Sequence, residues 1–344
     1  MPCHIAQNTL LPVRTTAHRI RKTPLAKLLL GDKHKDLSPR LLKALWTLEA
    51  GFFGALLRLG RMLPPDTASR AGARLGRRFG PGSDKTRLIR RNMRLAFPDL
   101  SEPELDALVS DVWANLGRIV AEYPHLGTIC HSQADQRLEY RIAGDIEVFN
   151  NPRKAAVFVS AHLANWELAA GAIAHRGVPL NVVYTPLQNP GLNRMLYRAR
   201  EALGCGLVER EGAARQLMRC LKQGTSVGLI VDQRVDGGAP VPFFGHDMLT
   251  SITPAQLAVR FNCELVPVQI QRIQDARFRA VFHSPVRVDA NLPDDRKVLE
   301  MTTSINLLFE DWIRQRPQDW MCTKRRWPKH LMKPGWQDPQ TTAS

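Results

Sequence analysis

Residues 155–175 read AAVFVSAHLANWELAAGAIAH. The first six form a short apolar run closing on a serine, the pattern of a strand buried on both faces. Residues 165–175 predict a helix, and His162 falls in the handover between the two. A strand running into a helix is the unit of an α/β sheet, and such sheets bind ligands outside the carboxyl ends of their strands. The unit recurs downstream. Helices are predicted over residues 190–203, stopped by Gly204 and Gly206, over Ala213–Lys222 and over Thr253–Phe261. Strands are predicted over residues 181–184, 226–231 and 265–270, with strand-like pieces at Arg277–Phe282 and residues 286–288 and a long helix over residues 296–316. The expected fold class is α/β, a central mixed sheet flanked by helices, its core spanning residues 137–290 of a domain running over residues 37–330.

The N-terminal third has a different composition. Of 48 Lys and Arg and 32 Asp and Glu, residues 1–98 hold 20 and 5, so nearly all of the net charge of +16 lies there. Such a field attracts phosphate, on anionic lipid or on nucleic acid. Residues 1–36 are predicted to be a disordered basic arm and residues 331–344 a flexible tail. Residues 41–63, LLKALWTLEAGFFGALLRLGRML, are the most apolar window. Lys43, Glu49, Arg58 and Arg61 interrupt it, which favours an amphipathic helix lying in a membrane interface over one that crosses. Arg-rich helices are expected over residues 70–78 and 85–94, the second stopped by Pro98. Ser101 and Glu104 have capping-box spacing and predict a helix from there to about Tyr123.

The handover segment carries the chemistry. Five positions along one helix set two side chains well apart around its axis, so His162 and Glu167 meet only if the histidine lies in the turn and the glutamate in the first helical turn. In that arrangement Glu167 accepts from one imidazole nitrogen and fixes the tautomer, leaving the other free as a general base toward a substrate hydroxyl. Taken alone, the pair is a weak signal. No Gly-x-Ser-x-Gly elbow, His-Glu-x-x-His zinc motif or Cys-x-x-Cys pair competes with it, and the six cysteines read as buried small hydrophobes.

Several ordered motifs give the pair its context. The window SAHLANWELAA resembles the signature of the bacterial lipid A acyltransferase family, the late lauroyl and myristoyl transferases of the lysophospholipid acyltransferase-like superfamily. Arg90 to Pro98, Trp113-x-Asn115-x-Gly117-Arg118 with Glu122, and Tyr184 with Asn189-Pro190 are similar to family elements in the same order. So are Asp232-Gln233 with Val241-Pro242-Phe243-Phe244-Gly245, and Trp312, Trp320 and Arg325-Arg326-Trp327-Pro328. Ala164 stands where many members have glycine.

The resemblance implies transfer of an acyl chain from acyl carrier protein to a hydroxyl of a lipid A precursor at the cytoplasmic face of a bacterial inner membrane, with no cofactor and no metal. It makes His162 and Glu167 catalytic and puts Asn165, Arg194, Arg200, Asp232 and Gln233 at the substrate. Arg200, or backbone N–H groups near residues 164–166, would face the oxyanion. Trp320, Arg325, Arg326 and Trp327 would suit contact with lipid headgroups. Other acceptors leave the pair unchanged: a lysophospholipid or another glycolipid, or water, which would make a thioesterase. A non-catalytic binder of anionic membrane or nucleic acid would use the basic third alone. No nucleic-acid-binding motif supports nucleic acid as a partner.

Overall fold

The computed structural model describes residues 38–132 and 134–332, so the expected basic arm and all but the first two residues of the expected tail lie outside the described residues. The described residues open with four helices: α1 (Pro39–Arg61), α2 (Pro65–Phe79), α3 (Thr86–Ala96) and α4 (Glu102–Glu122). Ser38 caps α1 by accepting from the Leu41 N–H, and Pro39 sits at the first turn, where its missing N–H costs nothing. The predicted capping box opens α4, with Ser101 and Glu104 bonded reciprocally. Helices α2 and α4 cross at glycines: a Cβ on Gly72 would meet the Gly117 carbonyl oxygen at 2.3 Å. That close approach brings the C-terminal end of α4, with Glu122, toward the sheet.

Helix α1 turns Leu42, Leu45, Glu49, Ala50 and Gly54 inward and leaves Leu48, Phe52, Leu56 and Leu59 exposed. Glu49 would sit awkwardly deep in lipid, but it is buried against protein and accepts from Asn189 Nδ2 at 2.8 Å. No helix among the described residues is long and apolar enough to cross a membrane.

Next come α5 (Leu126–His131), β1 (Leu138–Ile142), α6 (Glu147–Asn150), β2 (Val157–Ser160) and α7 (Leu168–His175), then β3 (Leu180–Tyr184), α8 (Pro190–Glu201) and β4 (Gly206–Glu209). The chain continues through α9 (Ala213–Lys222), β5 (Ser226–Ile230), β6 (Ala239–Phe243), β7 (His246–Thr250) and α10 (Thr253–Phe261) to β8 (Leu265–Gln274), β9 (Arg277–Phe282) and α11 (Asp294–Gln315). Seven strands form one sheet in the order β1-β9-β8-β2-β5-β3-β4. All neighbours are parallel except β8 and β9, so the sheet is mixed, as expected. β6 and β7 form a separate hairpin against α11, tied by Asn306 Nδ2 to the Pro242 carbonyl at 2.9 Å.

All four residues of β2 are buried. Val157 and Val159 pack with α3, α10 and α11 on one face, while Phe158 packs with α5 and α7 on the other. Burial on both faces explains the unbroken apolar run in the sequence.

Three expectations are corrected. Residues 286–288 are not a strand; only Val286 N–H bonds back, to the Leu265 carbonyl at 2.8 Å. Gly206, read with Gly204 as ending a helix, also opens the unpredicted edge strand β4. Helix α7 starts at Leu168, not residue 165, because residues 161–167 are spent on a turn.

Candidate active site

In the centre of the sheet β2 and β5 run parallel, with Ser160 opposite Ile230 and the Val231 N–H donating to the Ser160 carbonyl at 3.1 Å. Each strand then gives way to a loop, and the residue two beyond each strand end is His162 on one side and Asp232 on the other. Parallel pairing therefore sets them side by side although 70 positions separate them in sequence. His162 Nδ1 lies 2.6 Å from Asp232 Oδ1. Asp232 is 1% exposed and His162 17%, so the carboxylate is sealed and the ring is open on one side. Trp320 Nε1 donates to the second carboxylate oxygen at 3.0 Å. With Asp232 on Nδ1, that nitrogen carries the proton and Nε2 is left as the acceptor. Gln233 Nε2 lies 3.4 Å from both ring nitrogens, and the Trp166 ring packs edge-on to the imidazole with centroids 5.0 Å apart.

The histidine turn is clamped from the C-terminal side. Met321 N–H donates to the His162 carbonyl at 2.8 Å and Ala164 N–H to the Asp319 carbonyl at 2.9 Å. Ala164 has φ of 47°, a left-handed conformation that favours glycine. Asn165, expected at the substrate, is instead wholly buried and donates to Glu122 Oε2 at 2.9 Å. Glu122 also accepts from Ser69 Oγ at 2.6 Å and from the Arg272 guanidinium. Asn165 thus ties the turn to α4.

Glu167 does not sit on His162. Its Oε1 accepts from Tyr123 at 2.6 Å and from Arg200 Nη2 at 2.5 Å, and its Oε2 from Arg200 Nε at 2.7 Å. The expected His162–Glu167 contact is therefore corrected: the carboxylate faces Tyr123, just beyond α4, and Arg200 of α8, and the imidazole takes its carboxylate from the loop after the neighbouring strand. The same bonds commit two Arg200 nitrogens to Glu167. Burial lowers the proton affinity of Arg200, but the bidentate glutamate outweighs it and raises it further. Burial, reinforced by the Glu167 charge, keeps Tyr123 protonated. Arg194 is exposed, and six positions along α8 set it about 120° around the axis from Arg200.

Burial pushes the Asp232 carboxyl up, but the His162 charge and the bonds from His162 and Trp320 hold it below the usual carboxylate range. A carboxyl whose pKa is depressed by folding adds stability that is present above its unfolded value and lost as pH falls through the folded one. Stability should therefore drain below about pH 4. Urea denaturation between pH 5 and 3 is expected to show a shallower loss in Asp232→Asn than in the unsubstituted protein; an identical loss would separate Asp232 from the acid transition.

An apolar cavity lies under Trp166 and Glu167, between α7 and strands β2, β3 and β5, with Ile173, Val182, Gly228 and Val268 in its wall. The cysteines offer no rival nucleophile among the described residues: burial pushes the Cys130 thiol up to about 12 and those of Cys205 and Cys263 up to about 11. No group of side chains among the described residues is arranged to hold a metal. The headgroup expectation for the C-terminal tryptophans is corrected: Trp320, Trp327 and Arg326 are core residues, at most 2% exposed.

Sequence reasoning placed Asp232 at the substrate rather than on the histidine, and passed over Tyr123 and Trp166 as functional residues. The Asp232 signal was present in the equal two-residue offsets from the two strand ends, readable only once the strands are known to be neighbours.

Residues 38–329 match the family model for "Bacterial lipid A biosynthesis acyltransferase". The phosphatidylinositol mannoside acyltransferase of Mycolicibacterium smegmatis is 24% identical over 292 residues, 83% of this chain and 90% of that protein. That of Mycobacterium tuberculosis is 25% identical, covering 79% of this chain and 81% of its own. The lipid A biosynthesis myristoyltransferase of Escherichia coli is 24% identical over 181 residues, 50% of this chain and 55% of that protein.

Proposed function

We propose that this chain, which belongs to the bacterial lipid A biosynthesis acyltransferase family, moves a fatty acyl group from a carrier-bound thioester to a hydroxyl of a membrane glycolipid, with His162 as general base and Asp232 as its partner. The observation that carries the reading is the His162–Asp232 bond of 2.6 Å, on an imidazole packed against Trp166, which in turn lines an apolar cavity.

In this mechanism His162 Nε2 takes the proton of the acceptor hydroxyl as its oxygen attacks the thioester carbonyl. The new C–O bond makes a tetrahedral oxyanion. Its collapse breaks the C–S bond, and the imidazolium returns the proton to the leaving thiolate. Asp232 holds the ring and stabilises the passing positive charge. Arg200 is committed to Glu167, so the donors for the oxyanion are the backbone N–H groups of Asn165 and Trp166. These have no backbone acceptor among the described residues and lead into α7. The cavity beside Trp166 receives the start of the acyl chain.

The donor is acyl carrier protein, and the acceptor a lipid A precursor. The extended match to phosphatidylinositol mannoside acyltransferases favours a second reading, in which another phosphorylated glycolipid is acylated. The test is purified protein with labelled acyl carrier protein and both acceptor classes. Label appearing in either glycolipid supports the reading and selects the acceptor. Carrier thiol released equally without any acceptor would make the chain a thioesterase.

The reaction takes place at the cytoplasmic face of the inner membrane. The exposed Leu48, Phe52, Leu56 and Leu59 form one stripe along α1, and Leu75 and Phe79 of α2 are exposed as well. Basic Arg58, Arg61, Arg74, Arg77 and Arg78 lie close by in sequence. An apolar stripe with basic flanks suits a helix lying flat in anionic lipid. Phe52→Glu with Leu56→Glu should lower partitioning onto anionic vesicles by at least about tenfold, from the apolar burial lost. Unchanged co-sedimentation would remove α1 from the membrane contact.

A further inference from the structure

The ground beside Asp232 is more positive than base catalysis requires. Arg234 follows it by two residues. Lys324 and Arg325 come from the C-terminal segment that also supplies Trp320, Arg210 follows β4, and Lys85 precedes α3. The segment is fixed on both sides of the two cations. Trp320 bonds Asp232, Asn92 Nδ2 donates to the carbonyls of Cys322 and Lys324 at 2.7 and 2.8 Å, and Arg326 bonds Thr250 Oγ1 at 3.0 Å. Arg210 is held at its backbone, where its N–H donates to the Tyr184 carbonyl at 2.8 Å.

These cations act on one another. Crowding by the surrounding protein, then the charge of Arg210 and that of Lys85, hold the Lys324 ammonium below the usual lysine range, with Asp232 pulling the other way. Burial and the charge of Arg325 lower Arg234 in the same sense.

Of the acids beside these cations in sequence, Asp84, Glu209 and Glu211 are solvent-exposed, and Glu209 accepts from the Tyr184 hydroxyl at 3.2 Å. Asp232 is committed to His162 and Trp320. Asp236 pairs with Arg234 but is 86% exposed, where an ion pair is worth little. Lys324, Arg210 and Lys85 donate no side-chain hydrogen bond to any described residue. Gathering like charges is unfavourable unless an anion completes the set, and a phosphoryl group, with several acceptor oxygens, suits a mixture of arginine forks and a lysine.

We propose that Lys324, Arg325, Arg234 and Arg210, with Lys85 behind them, form a phosphoryl-binding site beside His162. The site rests on the acyl-transfer reading for its purpose but not for its existence. Its ligand group is a phosphate ester, carried either by the pantetheine arm of a thioester donor or by the headgroup of the acceptor.

The test uses the full chain and the double variant Lys324→Gln, Arg210→Gln, which removes two side chains that make no side-chain hydrogen bond to a described residue. Inorganic phosphate is titrated against chloride of equal ionic strength and the thermal midpoint is read. Phosphate should raise the midpoint of the unsubstituted chain, and the variant should need about tenfold or more phosphate for the same rise, from the charge-assisted bonds lost.

KM is then measured with acyl-phosphopantetheine against acyl-pantetheine, and with phosphorylated against dephosphorylated acceptor. A rise in the variant confined to acyl-phosphopantetheine assigns the site to the donor; one confined to the phosphorylated acceptor assigns it to the acceptor. Equal phosphate response in both proteins, with KM unmoved for every substrate, would overturn the site. A phosphate response lost in the variant from a chain that transfers no acyl group would keep the site and overturn the acyl-transfer reading.

Discussion

His162→Gln is expected to fold and to lose about 10²–10⁴ of its turnover, the usual worth of a positioned general base. The choice of glutamine matters. Asp232 is almost wholly buried and takes its donors from His162 and Trp320. Alanine at 162 would remove the imidazole donor from a buried carboxylate, costing about 1–3 kcal/mol of stability on top of any loss in rate. A glutamine amide can still donate to Asp232 but is not basic enough to take a hydroxyl proton. The two substitutions therefore separate base from scaffold: both should be slow, and alanine alone should also lower the thermal midpoint. Near-normal turnover by a folded His162→Gln protein would remove the histidine from the chemistry.

The second large effect is on stability. Glu167→Ala leaves the Arg200 guanidinium, 14% exposed, without its bidentate partner and the buried Tyr123 hydroxyl without its acceptor. Breaking a buried ion pair from one side costs about 3–5 kcal/mol, because the remaining charge stays in place uncompensated. Replacing both partners by apolar residues of similar volume, as in Glu167→Leu with Arg200→Met, should recover most of that loss. Chemical denaturation of the single and double variants measures both quantities. A Glu167→Ala protein as stable as the unsubstituted chain would show that the Glu167–Arg200 pair does not hold α7 to α8.

Sequence and structure agree where the determinants are local. Ser101 and Glu104 specify the start of α4 by their own spacing, and the apolar run at residues 155–160 specifies a strand whichever neighbours it pairs with. Helices α9 and α10 have the bounds their periodicity predicts. Strand β4 is four residues long, exposed at both ends, and owes its pairing to β3 rather than to its own pattern.

At the site, His162 was legible because it lies where a strand ends. Its partner was not, because proximity of residues 162 and 232 follows from which strands are adjacent, a long-range fact absent from local spacing. The nearby Glu167 was the obvious carboxylate in the sequence, yet an arginine and a tyrosine from two other helices claim it. The C-terminal tryptophans misled for a similar reason: beside arginines they read as an interface, whereas Trp320 and Trp327 pack against Phe243 in the core.

The most direct test of the central claim compares the two carboxylates in one acyl-transfer assay, with thermal midpoints recorded in parallel. Asp232→Asn should keep its fold and lose about 10²–10⁴ of kcat, since an asparagine cannot hold the productive tautomer or stabilise the imidazolium. Glu167→Gln should lose stability first and keep a substantial rate in whatever fraction remains folded. A fully active Asp232→Asn protein beside a folded, inactive Glu167→Gln protein would contradict the account and return the histidine to Glu167.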